Sequence, residues 1–174
     1  MLCNWFVLTG GPCSGKTSTI IELQKLGYSV AQEAARQHMS AELARGIPIE
    51  KVRADPIGLQ LKILAVQSDT ERKLERKSLT FLDSGVFDPI AYTKVLGGDS
   101  APLIARYSGM RYRRAFMLDL LPMKQDAIRT ESFQDARRIR SALIEIYRAM
   151  KIPITRVPKM PSYERARFIV ARSI

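Results

Sequence analysis

Eight residues near the N-terminus combine the residue types and the spacing of a phosphate-binding loop. The segment Gly10-Gly11-Pro12-Cys13-Ser14-Gly15-Lys16-Thr17 fits the pattern G-x-x-x-x-G-K-[ST] at every defined position. Glycines allow backbone N–H groups to surround a phosphate closely, and the start of a helix adds the positive end of its dipole. We predict that Lys16 contacts the outer phosphates of a nucleoside triphosphate, ATP or GTP, and that the Thr17 hydroxyl is a ligand of Mg²⁺. The predicted nucleotide-binding residues are Gly10, Gly11, Pro12, Cys13, Ser14, Gly15, Lys16, Thr17 and Ser18.

Four further charged side chains are candidates for the chemistry of phosphoryl transfer. Asp83 follows an apolar run and could hold Mg²⁺ or orient an acceptor hydroxyl, with capping of the next turn as the alternative. Glu33 could accept a hydroxyl proton, or simply favour the first turn of a helix. Arg36, one helical turn later, could bind a phosphate or carboxylate of an acceptor, or be solvated. Arg129 lies in a basic segment and is typical of a lid arginine that closes over transferring phosphates.

Motifs that the sequence lacks narrow the class of nucleotide-binding protein. The single asparagine is Asn4, which excludes the Asn-Lys-x-Asp motif of guanine-reading GTPases. Ser84 follows Asp83, where motor-type ATPases carry a second carboxylate that polarises water. We interpret Asp88, which Pro89 follows, as a helix N-cap. These features favour a phosphotransferase over a dedicated hydrolase.

Strand-like and helix-like segments alternate along the whole chain. Apolar and β-branched runs predict strands at about 5–8, 28–31, 79–82, 115–118 and 152–157. Helical spacing predicts helices at about 16–26, 33–45, 55–77, 88–96 and 133–150, with a last one from residue 161. This alternation predicts a three-layer α/β/α fold around a five-stranded, mostly parallel sheet. We predict a single domain over residues 1–174, with a lid at about 121–131.

The composition is that of a globular and strongly basic protein. The chain has 174 residues, of which 46% are hydrophobic, and a formal charge of +11. Residues 105–174 carry 16 basic and 6 acidic side chains, so anionic partners are candidates: phosphorylated small molecules, acidic lipid or nucleic acid. No apolar run approaches the roughly 20 residues of a transmembrane helix, and the N-terminus lacks a basic leader. Because Cys3 and Cys13 form neither a disulfide framework nor a metal-ligand pattern, we expect a reduced, cytoplasmic protein.

With these motifs, the chain resembles the NadR-like AAA-type ATP-binding domain family. That family is related to nicotinamide ribonucleoside kinase domains and, more distantly, to thymidylate and deoxynucleoside kinases. Besides the glycine-rich loop, the similar segments are Glu33-Ala34-Ala35-Arg36, Leu82-Asp83-Ser84-Gly85, Asp126-Ala127-Ile128-Arg129-Thr130-Glu131, Val157-Pro158 and Glu164-Arg165-Ala166. The resemblance implies a kinase-type P-loop sheet of strand order 2-3-1-4-5 with Mg·ATP or GTP as ligand. Some members are tied to phosphoinositide and guanine-nucleotide binding.

One position departs from the family pattern and bears on the acceptor. The family usually has Asp-Arg after the third strand, where this chain has Asp83-Ser84. Kinases use that arginine to orient the acceptor, and Arg111, Arg113 or Arg114 are candidates to replace it.

Three hypotheses for the function remain open at this point. The leading one is a small-molecule kinase that transfers the γ-phosphoryl group of Mg·ATP to a hydroxyl group of a nucleoside, riboside or nucleotide. The alternative is a low-activity ATP- or GTP-hydrolysing switch whose basic face binds phosphoinositide or a protein. The least favoured is a kinase for the 5′-hydroxyl group of a nucleic acid.

Overall fold

The computed structural model describes residues 3–121 and 132–173. The strands are β1 (Trp5–Thr9), β2 (Ser29–Ala31), β3 (Thr80–Asp83), β4 (Arg114–Leu118) and β5 (Ile154–Val157). The helices are α1 (Lys16–Lys25), α2 (Ala34–Ala44), α3 (Ile49–Val52), α4 (Pro56–Lys73), α5 (Phe87–Val95), α6 (Ala101–Tyr107), α7 (Phe133–Ala149) and α8 (Ser162–Val170). The five strands form one parallel sheet in the order β2-β3-β1-β4-β5, which confirms the strand order implied by the family resemblance.

Two hydrophobic cores cover the two faces of this sheet, because successive side chains of a strand point to opposite faces. Trp5 and Val7 of β1 pack in the core that contains Leu64 of α4 and buried apolar residues of α5 and α7. Phe6 and Leu8 of the same strand pack in the core formed with α1 and α8. The three layers that the alternating sequence predicts are therefore present, and every described strand residue of β1 is buried.

The parallel arrangement brings the carboxyl ends of β1 and β3 side by side. Their register pairs Leu8 with Asp83, so Asp83 lies next to the loop that leaves β1. This edge of the sheet is where parallel α/β folds bind ligands. The sheet topology therefore places the two strongest sequence motifs at one site.

The structure confirms one predicted helix start and corrects other predictions of the helices. Asp55 caps α4 as predicted, since its carboxylate accepts from the Gly58 N–H at 2.9 Å. The two short helices α3 and α6 were not predicted, because four and seven residues give too few turns for a helical period to show. The interpretation of Asp88 as an N-cap is wrong: α5 begins at Phe87, and Asp88 is a buried residue of its first turn.

None of the helices in the described part of the chain has the length and apolar character needed to span a bilayer. Most of the predicted lid, including Arg129, lies outside the described residues.

Candidate functional site

The glycine-rich loop (residues 10–17) connects the end of β1 to the start of α1, as its sequence predicts. The loop turns through left-handed backbone conformations at Cys13 (φ of 59°) and Gly15 (φ of 80°). Within residues 3–121 and 132–173 no side chain caps the start of α1, so its first backbone N–H groups are available to an anion. The Nζ atom of Lys16 spans the loop and donates to the carbonyl oxygens of Gly10 at 3.0 Å and Gly11 at 3.5 Å. The loop thus combines a fixed cation with N–H groups, an arrangement that can bind phosphates.

Asp83 lies beside this loop with its carboxylate buried. The Thr17 hydroxyl is close enough to lower the pKa of this carboxyl, and Oδ1 has no partner among the described residues. Burial and the negative charge of Glu33 raise the pKa of Asp83 to about 6, although Lys16 and Thr17 favour the ionised form. A carboxylate oxygen without a partner, next to a threonine hydroxyl, is a donor set that suits Mg²⁺.

A single cavity of about 860 Å³ joins the loop to the space between α2, α4, α5 and α7. Pro12 to Thr17 line one end of it, and Glu33 and Arg36 lie in the same wall. Beyond Arg36, most of the lining is apolar. The apolar lining residues include Met39, Leu43, Ile49, Leu59, Ile63, Val95 and Leu96. The structure therefore brings Lys16, Thr17, Glu33 and Arg36 together around one space, with Asp83 beside it.

Side chains of α4 and of Tyr112, which precedes β4, hold the turn that follows Asp83. The Nε2 atom of Gln67 donates to the Ser84 carbonyl oxygen at 3.1 Å and to Glu71 Oε1 at 2.8 Å. Glu71 also accepts from the Val86 N–H at 3.1 Å and from the Tyr112 hydroxyl at 2.8 Å. Glu71 is 1% exposed, and this burial raises its pKa to about 7. These bonds fix the turn that positions Asp83 against the phosphate-binding loop.

Asp88 joins this turn to β1. Its Oδ1 accepts from the Thr9 hydroxyl at 2.8 Å, and its Oδ2 accepts from the Gly85 N–H at 3.1 Å and the Tyr147 hydroxyl at 2.6 Å. Burial raises the pKa of Asp88, whereas the Tyr147 hydrogen bond and the charge of Lys16 oppose that rise. Asp88 also lines the cavity, so a residue that the sequence analysis assigned to capping belongs to the site.

Several sequence candidates lie away from the cavity. Ser18 is exposed on α1, and Arg111, Arg113 and Arg114 do not line the cavity. Arg113 donates to Asn4 Oδ1 and Arg114 donates to Thr155 Oγ1. The suggestion that one of these three arginines replaces the family arginine after β3 is therefore wrong for the described structure.

Some residues at the site have roles that depend on contacts between distant segments, and their positions in the sequence did not predict those roles. Gln67, Glu71, Asp88 and Tyr112 are examples, and nothing in their own spacing points to the site. Arg165 did carry a signal, because it stands beside Ala166 on the buried face of an otherwise amphipathic helix. A charge on the apolar face of a helix needs a specific partner.

Comparisons with known proteins agree with this geometry. The family model described as an AAA domain matches residues 5–165. A NadR protein solved with NR has a TM-score of 0.72 at 15% identity, and the match covers 97% of this chain but 51% of that one. The chain thus spans about half the length of that NadR chain. Two kinases share the fold. Deoxyadenosine kinase from M. mycoides has a TM-score of 0.69 at 13% identity, and the match covers 97% of each chain. Thymidylate kinase from Ehrlichia chaffeensis has a TM-score of 0.67 at 15% identity, and the match covers 97% of this chain and 96% of that chain.

No curated protein matches the chain. The family match nevertheless extends from the first residue of β1 to Arg165 of α8, and it therefore includes all five strands and the phosphate-binding loop. The chain belongs to the AAA domain family, as a NadR-like P-loop domain with the kinase-type strand order.

Proposed function

We propose that the protein is a small-molecule kinase that transfers the γ-phosphoryl group of ATP to a hydroxyl group of a nucleoside, riboside or nucleotide. One observation carries the proposal: the phosphate-binding loop opens into the same cavity as Glu33, Arg36 and an apolar compartment. A donor and an acceptor can therefore lie end to end in a single space, as phosphoryl transfer requires.

The apolar compartment favours transfer to an organic acceptor over hydrolysis. Leu43 and Leu96 are 48% and 44% exposed, and both line the cavity. A water nucleophile gains nothing from such a lining, whereas the ring of a small molecule buries apolar surface against it. A volume of about 860 Å³ is large enough for a nucleotide and a small acceptor together.

The loop and its neighbours account for binding of the donor. Lys16 and the backbone N–H groups of the loop stabilise negative charge on the phosphates. Thr17 and Asp83 would hold Mg²⁺, and Oδ1 of Asp83, to which no described residue donates a hydrogen bond, fits that role. When bound, Mg²⁺ supplies neutralisation of phosphate charge.

Glu33 and Arg36 account for the acceptor. The acceptor oxygen forms a bond to the γ-phosphorus as the bond from that phosphorus to the bridging oxygen of ADP breaks, and the hydroxyl proton passes to the Glu33 carboxylate. Arg36 is exposed in the cavity wall, where its guanidinium can bind a phosphate or carboxylate of the acceptor. Closure of a lid by Arg129 stays a prediction. The deoxyadenosine kinase and the thymidylate kinase that share this fold are named for a nucleoside and a nucleotide, and they support an acceptor of this size.

The proposal is tested by incubating the purified protein with Mg·ATP and pools of nucleosides, ribosides and nucleoside monophosphates. We expect ADP release that depends on one pool, and a product heavier by one phosphoryl group in a mass spectrum. Slow ADP release that no acceptor accelerates would instead indicate a hydrolysing switch.

Variants separate the roles of the cavity residues. K16A is expected to lose ATP binding, and E33Q is expected to lower kcat by about a hundredfold or more with little change in the KM for ATP. R36M is expected to raise the KM for an anionic acceptor, while R45M, an exposed arginine at the end of the same helix, serves as the charge-matched control.

A further inference from the structure

Arg165 is a buried arginine whose hydrogen-bonding capacity is only partly used within the described structure. It lies in α8, 1% exposed, and is among the largest fully buried side chains. Its Nη1 donates to the carbonyl oxygen of Ser14 in the phosphate-binding loop. Its Nε and Nη2 atoms have no partner among the described residues. Because a buried N–H group without a partner is costly, its presence calls for a physical reason.

No carboxylate forms a hydrogen bond with this guanidinium in the described part of the chain. The negative charge of Asp119 favours the protonated form of Arg165. Asp119 is itself paired with Arg156 at 2.7 Å and with Arg140 at 3.3 Å. Burial accordingly lowers the pKa of Arg165 below the ordinary arginine value. A buried cation without a hydrogen-bonded anion lowers the stability of the fold.

The contact with Ser14 fixes the direction of a backbone N–H group. The Ser14 carbonyl and the Gly15 N–H belong to one trans peptide plane, so they point in opposite directions. Arg165 holds that carbonyl toward α8, and the Gly15 N–H therefore points away from α8. The guanidinium lies so close that a Cβ on Gly15 would be 2.8 Å from Nη1.

We propose that Arg165 is a positioning residue for the phosphates of the nucleotide, which it serves by orienting the Ser14–Gly15 peptide plane so that the Gly15 N–H donates to a phosphate oxygen. Its positive charge is then balanced by the arriving polyanion. This inference rests on the proposed nucleotide binding, and it adds a residue 150 positions from Gly15 to the phosphate-binding machinery.

The test compares R165M with R167M, which removes an exposed arginine from the same helix. Affinity for Mg·ATP and for tripolyphosphate is measured by calorimetry, and the thermal midpoint is measured without nucleotide. R165M is expected to weaken binding of both ligands by about tenfold or more, the effect of losing an interaction with a charged group. Its midpoint without nucleotide is expected to equal or exceed that of the wild type, because an under-partnered charge has been removed. R167M is expected to match the wild type in all three measurements.

In R165M, weaker ligand binding together with an unchanged or higher thermal midpoint distinguishes a positioning role from a structural one. A lower midpoint with unchanged affinity would show that Arg165 only supports the fold, and weaker binding of Mg·ATP but not of tripolyphosphate would show that it acts on the base or sugar. Either result overturns the proposal. R165K, which keeps the charge without the planar donor fork, covers the case in which R165M does not fold, and wild-type affinity in R165K also overturns it.

The same measurements separate this inference from the proposed function. If the wild type binds no nucleotide, the proposed function itself fails. If the wild type binds Mg·ATP, K16A does not, and R165M binds like the wild type, only the role of Arg165 fails.

Discussion

Replacement of Glu71 by glutamine is expected to remove a pH dependence from the stability of the protein. Burial raises the pKa of Glu71 from an ordinary value of 4.5 to about 7 in the folded chain. A tenfold change in proton affinity corresponds to about 1.4 kcal/mol, so ionisation of Glu71 costs the folded state about 3 kcal/mol relative to the unfolded chain.

The sign of the effect follows from the direction of the pKa change. The folded state binds the proton more tightly, so the stability from a protonated Glu71 is fully present below pH 4.5. It is lost as the pH rises through about 7, and it stays lost above that value. E71Q keeps an oxygen that accepts from Gln67 and Val86 but has no proton to lose.

Urea unfolding followed by fluorescence provides the measurement, because the chain has a single tryptophan, Trp5, buried in β1. We expect the free energy of unfolding of E71Q minus that of the wild type to increase by about 3 kcal/mol between pH 4.5 and pH 8. E50Q, which alters an exposed glutamate of α3, should show no such increase. A difference between E71Q and wild type that stays constant over this range would refute the assignment of a raised pKa to Glu71.

Two further predictions concern the loop and the sheet edge. G15A should abolish detectable ATP binding and lower the free energy of unfolding by about 1–2 kcal/mol. The reason is that position 15 has a φ of 80° and that a Cβ there would lie 2.8 Å from Nη1 of Arg165. Wild-type ATP affinity of G15A in calorimetry would contradict this prediction. D119A should lower the free energy of unfolding by about 1 kcal/mol at pH 7 in urea titrations, since Asp119 is paired with Arg156 and Arg140. These arginines hold the pKa of Asp119 below its ordinary 3.8. The loss in free energy of unfolding caused by D119A should therefore shrink as the pH falls below that value. A loss that does not depend on pH would show that the ion pairs are not its source.

The phosphate-binding loop could be recognised from sequence because all of its determinants are local. Gly10 to Thr17 are consecutive, and the strand before them and the helix after them show their own periodicities. The same holds for Asp55 as the cap of α4. The alternation of strands and helices likewise sufficed to predict a parallel sheet, because short connections and right-handed crossovers leave few arrangements.

The family resemblance, and not the periodicity, supplied the strand order. Periodicity indicates where a strand lies and which of its faces are buried, but it does not say which strand is its neighbour. The prediction that Glu33 and Arg36 share a face could be made from helical spacing, since they are three residues apart. That they face the phosphate-binding loop across one cavity depends on how α2 lies against the sheet.

What only the tertiary structure decided is the set of polar contacts between distant segments. Asp88 looked like a helix cap because an aspartate before a proline is common there, yet its carboxylate joins Thr9, Gly85 and Tyr147 in the interior. The difference arises because the cap of α5 is Val86, two residues before Asp88, so Asp88 lies in the first turn of the helix with its side chain buried. Arg165 contacts Ser14 across 151 positions for a comparable reason, since α8 packs against α1. A local pattern specifies the backbone of each element, whereas the partner of a buried charge depends on how elements that are distant in sequence pack against one another.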